Sequence, residues 1–412
     1  MSSKSRLFIL AALISVTCYT NASANPGPLI IAGGGVEPDN AEIWNIFIEA
    51  ANENGTFVII PSASASPTQS AKSVKDILIR HGVSADAIQV SKLALFDDQS
   101  TPDIDESQWA ENSDDPVTVA QLRAASAIWF TGGDQLRTTT LLLPESQTTP
   151  VLQAIRHAHQ NGAVIGGNSA GAAIMSDPMI QQGDSLTALT GSTSGEPLEL
   201  TPGLGFFEAG LVDQHFGERA RLGRLVVALS EIAKTKPQIG FGIDENTALV
   251  VESNSRATVA GSGYVTIINT KDATFGVDDK GRQSATNIAL HLASSGDHLA
   301  LDPIWVKPAT WKAPTVGDEY VRQARPSGGG FALPAETLSS ILGEALVDNS
   351  ESQRVSRISF DHAGLGTRFI FSKSESTTGD WGRHPVHGSS RYTINDVTFD
   401  IEPIQITILN PN

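Results

Sequence analysis

Ala163-Val164-Ile165-Gly166-Gly167-Asn168-Ser169-Ala170-Gly171-Ala172-Ala173-Ile174-Met175 is the stretch whose reading decides the fold. Its first three residues read as a short buried strand, and its last four suit the opening turns of a helix. Between them lies Gly167-Asn168-Ser169-Ala170-Gly171, a G-x-S-x-G turn. At a strand-to-helix junction such a turn forces the serine backbone into a sterically poor conformation that only small neighbours tolerate. The hydroxyl then projects at the carboxyl edge of a sheet, near backbone N–H groups at a helix start that can hold an oxyanion. Glycine-rich turns of this kind also occur without catalysis. A base and an acid elsewhere in the chain decide the matter.

Working outward, strands and helices alternate. Pro28 to Ala32 reads as a first buried strand ending in Gly33-Gly34-Gly35, and a helix follows from about Ala41 to Asn52. Thr56 to Ile60 is a second apolar run, Pro67 to Gly82 a helix, and Ala85 to Leu95 brings a third strand. The apolar run Ile128-Trp129-Phe130 ends in Thr131-Gly132-Gly133-Asp134, and a helix from Pro150 to Asn161 leads into the nucleophile strand. This alternation predicts an α/β fold, a mostly parallel sheet sandwiched by helices, with sites at the carboxyl ends of strands. Three glycine-rich loops, at 33–35, 132–133 and 166–171, fall on that edge. Ala248 to Val251 and Tyr264 to Ile268 turn to β, and Ser284 to Ala293 reads as a last helix closing a catalytic unit, 25–305. Pro303, Pro308, Pro314 and Pro326, with Gly328-Gly329-Gly330, then read as a linker or loop-rich surface. Pro334 to Leu346 reads as an amphipathic helix, and alternating runs at 357–360 and 397–401 make residues 306–412 a C-terminal α+β extension.

The chain begins with Lys4 and Arg6, an apolar core from Leu7 to Val16, and Ala22-Ser23-Ala24, the pattern of a signal peptide cleaved after Ala24. A secreted or periplasmic location is expected. Cys18 is the only cysteine and would leave with the signal, so no disulfide, thiol nucleophile or cysteine metal site is expected. Without Lys4 and Arg6 the balance is 26 basic against 45 acidic residues, or −19, which disfavours nucleic acid and anionic membranes as partners. No later segment is apolar enough to span a membrane.

A serine needs a base to take its proton, usually a histidine oriented by a carboxylate. His157 and His159 lie two apart on a helix and do not share a face. His384 and His387 sit in the tail. His215 stands out in Val212-Asp213-Gln214-His215-Phe216, followed by Arg219, Arg221 and Arg224. The acid candidates are in Gly242-Ile243-Asp244-Glu245, a double carboxylate ending an apolar run that is costly to bury without a partner. Either Glu245 or Asp244 could orient the imidazole. The order Ser169, His215, Glu245 differs from the Ser, acid, His order of α/β-hydrolases and argues against that fold.

Together Gly132-Gly133-Asp134-Gln135, the Ser169 turn, Asp213-Gln214-His215-Phe216 with its three arginines, and Gly242-Ile243-Asp244-Glu245 resemble the cyanophycinases. These belong to a serine peptidase family that also holds aspartyl dipeptidases, with a flavodoxin-like, class I glutamine amidotransferase-like fold. The resemblance covers roughly 29–305 and leaves the extension outside. It implies hydrolysis of cyanophycin, an arginyl polyaspartate, to β-Asp-Arg dipeptides. Ser169 would be nucleophile, His215 base and then acid, and Glu245 the orienting group. The N–H groups of Gly133 and Ala170 would form the oxyanion hole. Gln135, Asp213, Gln214, Arg219, Arg221 and Arg224 would line the substrate groove, with Asp213 meeting a substrate guanidinium and the arginines its carboxylates. The arginines also fit a solvated helix face. No cofactor or metal is expected, and a homodimer is the assembly considered. The competing functions are a peptidase for β-aspartyl or isoaspartyl-type peptides and a secreted binding protein that has lost catalysis.

Overall fold

The structure is a computed structural model that describes residues 25–51, 55–193, 195–233, 238–253, 255–324, 335–407 and 409. Residues 1–24, where a signal peptide is expected, lie outside the described residues, as do Pro326, Gly328-Gly329-Gly330 and Pro334. Along the first part of the chain run β1 (Leu29–Ala32), α1 (Ala41–Ala50), β2 (Phe57–Ile60), α2 (Pro67–Arg80), β3 (Ile88–Val90), α3 (Pro116–Arg123), β4 (Ala127–Phe130), α4 (Gln135–Leu142), α5 (Pro150–Gln160) and β5 (Val164–Asn168). The five strands pair in parallel in the order β3-β2-β4-β5-β1. β1, β2 and β4 are buried throughout, as unbroken apolar runs in a sheet covered on both faces must be. Ile30, Ile59 and Trp129 face Trp44 and Phe47 of α1 and Leu78 of α2. Ile31, Ile60, Ile128 and Ile165 face the other way, against Leu152 and Ile155 of α5. The helices start where a side chain caps them: Asn40, Asp115, Asp134 and Thr149 each accept a first-turn N–H.

α6 (Ala170–Ala173) follows β5 directly, then β6 (Met179–Gln182), α7 (Ser185–Thr190), β7 (Glu199–Thr201), β8 (Leu211–Gln214), α8 (Leu222–Ile232), β9 (Ile239–Ile243), β10 (Thr247–Ser253), β11 (Arg256–Gly261), β12 (Tyr264–Asn269), β13 (Thr274–Val277), β14 (Gln283–Ser294), β15 (His298–Leu301) and β16 (Ile304–Lys307). β10, β11, β15 and β16 add antiparallel strands beyond β1. The result is a mixed central sheet whose parallel half is flanked by helices. After β17 (Ala313–Pro314) and a π-helix at Ser340–Val347 come β18 (Arg354–Phe360), β19 (Leu365–Ser372), β20 (Thr378–Arg383) and β21 (Ser390–Gln405). A second sheet runs β17-β20-β21-β14-β12-β9-β8, with β8 and β9 parallel and the other pairs antiparallel.

Three expectations for the later chain are corrected. Ser284 to Ala293 is not a helix but the body of β14. Ile288, Leu290 and Leu292 fall two apart on one buried face, the alternation of a strand. β12 on one side and β21 on the other satisfy its backbone. Pro303 to Pro314 is not linker, because β16 and β17 lie within it. Of the helix read over Pro334 to Leu346, the described residues are helical from Leu338 and π-helical over Ser340–Val347. The extension is accordingly woven in: residue 305 falls inside β16, and β21 is paired along β14. Leu225, Val226 and Leu229 of α8 share one apolar cluster with Ile394, Val397 and Phe399 of β21.

Candidate active site

The parallel pairing of β1 with β5 brings their ends together: Ala32 lies beside Asn168, and the Ser169 N–H donates to Ala32 O at 3.0 Å. Ser169 has φ +54° and ψ −112°, the strained turn conformation that the sequence requires there. Its Oγ is 2.8 Å from His215 Nε2. His215 Nδ1–H donates to Glu245 Oε1 at 2.5 Å. With the carboxylate accepting at Nδ1, Nε2 is left to accept the serine proton. Asp244 does not face the imidazole. Its Oδ1 accepts from the Gly217 N–H at 2.9 Å and its Oδ2 from the Tyr264 N–H at 3.1 Å. The geometry therefore pairs His215 with Glu245.

The loops that hold this line come from three strand ends. Gly34, at φ +124°, lies flat beneath His215, where an added Cβ would meet ring atom Cε1 at 2.3 Å. The adjoining backbone fixes the ring's height: His215 N–H donates to Gly33 O at 2.8 Å and Asn246 N–H to Gly34 O at 2.7 Å. Asn246 Oδ1 in turn accepts from Asn40 Nδ2 at 2.7 Å, linking the acid loop to the cap of α1. Sequence reading placed the 33–35 loop at this edge but gave it no task, and it missed Asn246 altogether. The signal was available in the triple glycine, since backbone that must lie against a ring cannot carry a side chain. Gly133, at φ +141°, packs against the Ala63 carbonyl, and a Cβ on Gly132 would come 3.3 Å from Ser169 Cβ. The 132–133 loop thus lies alongside Ser169, and Ala170 opens α6 with an N–H that has no acceptor within the helix.

Charge is distributed unevenly around His215. Burial pushes its pKa down, the Glu245 hydrogen bond pulls it back up, and Arg219 and Arg221 push it down again. Burial lowers the Arg221 guanidinium to about 10. Burial and the nearby Glu218 raise the Asp244 carboxyl to about 7.

The residues expected to line the groove divide sharply. Asp213 is only 1% exposed and is taken by Arg224, whose Nη2 and Nε approach it at 2.5 and 2.8 Å, while Nη1 donates to Gly183 O. The expectation that Asp213 meets a substrate guanidinium and Arg224 a substrate carboxylate is corrected, because each already neutralises the other. Arg221 donates to Gln214 O and stands 3.6 Å from Asp213. Gln135 is also committed, its Nε2 bonded to Ile180 O at 3.0 Å and Gln181 O at 2.6 Å. Two groups stay open. Arg219 is exposed on the turn after His215, and Gln214 Oε1 is buried with no hydrogen-bond partner among the described residues. Among those residues no group of three or more His, Cys, Asp or Glu is placed to hold a metal ion, and no helix is long and apolar enough to cross a membrane.

A serine raised on a strand-to-helix turn of a helix-flanked sheet is the arrangement of a serine-type peptidase, and this protein is one. Residues 29–259 match the family model described as peptidase family S51, and the chain belongs to that family. It is 33% identical over 277 residues to a cyanophycinase of Synechococcus elongatus, covering 65% of this chain and 78% of the relative. It is 32% identical over 302 residues to a cyanophycinase of Nostoc sp., covering 72% and 92%. Among solved structures, a peptidase from an acI-B1 Actinobacterium is 22% identical with a TM-score of 0.45, covering 68% of this chain and 98% of that one.

Proposed function

We propose that this S51 peptidase is an exported enzyme that hydrolyses cyanophycin to β-Asp-Arg dipeptides through an acyl-enzyme on Ser169. The observation that carries the reading is the unbroken line from Ser169 Oγ to His215 to Glu245, at 2.8 and 2.5 Å. Its substrate is suggested by the cyanophycinases to which the chain is similar. A depressed pKa keeps His215 neutral and able to accept a proton. Ser169 Oγ attacks the α-peptide carbonyl as its proton passes to His215 Nε2, and Glu245 stabilises the imidazolium. The N–H groups of Ala170 and Gly133 receive the oxyanion. His215 then protonates the leaving amine, and water, deprotonated by the same imidazole, releases the acyl group. Arg219 is the cation free to meet a substrate carboxylate, while Asp213 and Arg224 shape the site from behind. The N-terminal pattern of Lys4, Arg6 and the apolar run supports export.

The test is incubation of the purified protein with cyanophycin and mass analysis of the products. Wild-type protein is expected to release β-Asp-Arg, and Ser169→Ala to lose roughly 10⁴- to 10⁶-fold in kcat. Cleavage confined to short β-aspartyl or isoaspartyl peptides would replace the proposed substrate. A Ser169 inert to a fluorophosphonate in folded protein would make the chain a binding protein.

A further inference from the structure

His215, like Ser169, sits in a backbone conformation that non-glycine residues rarely adopt, with φ +45°. Such a residue keeps its place only if the chain around it is tied down. Three successive N–H groups do the tying. His215 N–H donates to Gly33 O at 2.8 Å, Phe216 N–H to Ile243 O at 3.1 Å, and Gly217 N–H to Asp244 Oδ1 at 2.9 Å. The first two acceptors are backbone carbonyls. The third is a side chain, and it also reaches a second loop, since Asp244 Oδ2 accepts from the Tyr264 N–H at 3.1 Å. The fit is close on both sides: a Cβ on Gly217 would lie 2.9 Å from Asp244 Oδ1, and one on Gly263 2.7 Å from Asp244 Cβ.

We propose that Asp244 is a positioning residue of the Ser169–His215–Glu245 relay: its carboxylate fastens the turn carrying His215 to the turn at 262–264, and the relay is fully assembled only while both bonds are made. The proposal rests on the catalytic reading above and adds a fourth side chain to it. It also connects the C-terminal extension to the site. Arg391 of β21 donates to Ser262 O and holds its guanidinium 5.8 Å from the Tyr264 ring centre, so the extension abuts the turn that Asp244 grips. Backbone bonds join that turn to the acid loop as well, from Asp244 N–H to Tyr264 O and Ser262 N–H to Asn246 O, with Gly263 N–H donating to Thr247 Oγ1.

A carboxylate can accept two N–H bonds at once, one on each oxygen. Once protonated, the hydroxyl oxygen is a much poorer acceptor, and the N–H bond made to it weakens. The groups around Asp244 set when this happens. Burial and Glu218 raise it to about 7. Tyr264 lies beside it with Arg391 over the ring, and Glu245 and Arg219 act on the neighbouring His215. His215 protonates only below its ordinary value, because burial depresses it. As pH falls, Asp244 therefore takes up its proton first and His215 second, and each step removes active relay.

The experiment is the pH dependence of Ser169 inactivation by a fluorophosphonate, which reads relay-assisted nucleophilicity without reference to the natural substrate. Wild-type protein is expected to show an acid limb steeper than one decade per pH unit. Asp244→Asn, which offers one acceptor and one clashing NH₂, should react at least roughly ten-fold more slowly at high pH, with an acid limb of slope one. A slope of one in the wild type would overturn the proposal whatever the variant does. An Asp244→Asn protein with wild-type rate and slope would overturn it equally. Rapid labelling of Ser169 in a protein that leaves cyanophycin intact would instead defeat the substrate reading and leave this proposal standing.

Discussion

Arg224 and Lys312 are both buried cations held by a single aspartate, yet their surroundings differ. Lys312 is wholly enclosed, and its Nζ reaches Asp297 Oδ1 at 2.7 Å and Oδ2 at 2.8 Å, with Ser294 Oγ and Thr393 Oγ1 each at 2.7 Å. Asp297 also accepts the N–H groups of Ser294 and Ala309, both at 2.9 Å. This knot joins the end of β14, the loop after β16 and the start of β21, where the extension meets the rest of the chain. Arg224 instead joins β8 to α8, the two elements on either side of His215, and its aspartate has a second cation in Arg221. One ion pair fastens two parts of the fold. The other fastens the frame of the site and carries a reserve of charge.

The comparison sets an order of effects. Removing one partner of a buried pair costs about 3–5 kcal/mol, because the other charge is left without compensation. Lys312→Ala should lose that full amount in urea unfolding, while the protein that remains folded keeps a kcat near the wild-type value. An apolar double replacement of Lys312 and Asp297 should not restore stability, since the N–H groups of Ser294 and Ala309 would lose their acceptors. A double variant as stable as the wild type would mean that the knot is an ordinary ion pair. Arg224→Ala should destabilise less, by about 1–3 kcal/mol, because Arg221 still stands 3.6 Å from Asp213. It should, however, lower kcat/KM by roughly ten- to a hundred-fold, since β8 leads straight into His215 and small displacements there are expensive. Equal stability losses with unchanged activity in both variants would erase the distinction.

How far these roles could be read beforehand depends on the distance between partners and the regularity of the pattern. The parallel strands β1, β2 and β4 were legible because each is an uninterrupted apolar run. Ser169, His215 and Glu245, which the fold brings into one hydrogen-bonded line, were legible as a group because short motifs carry them with distinctive neighbours. Asp213 and Arg224 were recognised as charged and near the site, but their mutual pairing was not. It closes across a tight turn, between a strand residue and a helix residue, where spacing gives no guide. The choice between Asp244 and Glu245 was equally closed to sequence, since adjacent carboxylates point opposite ways only once β9 has ended and the turn at 262–264 has docked. The second sheet was the least legible. β14 and β21 are long, and their pairing shifts register twice, which blurs the two-residue period. Lys312, Asp297 and Thr393, spread over more than eighty residues, gave no local sign of meeting.

The smallest expected effect belongs to Arg219, the arginine that differs from both buried cations. It is exposed, and among the described residues no carboxylate lies within ion-pair distance of it. Its guanidinium acts on His215 through its field, favouring the neutral imidazole. Arg219→Ala should therefore raise the His215 pKa toward its ordinary value and move the acid limb of kcat/KM to higher pH, with little change in stability. Arg219→Lys should keep the limb in place, since it retains the charge. Added salt should mimic the alanine variant, because an exposed charge is screened over about 10 Å at 0.1 M ionic strength whereas Arg224, sealed on Asp213, is not. A limb that stays fixed in Arg219→Ala would show that the cationic field on the imidazole comes from Arg221 alone. In that case the division between the framing pair and the free charge would have to be redrawn.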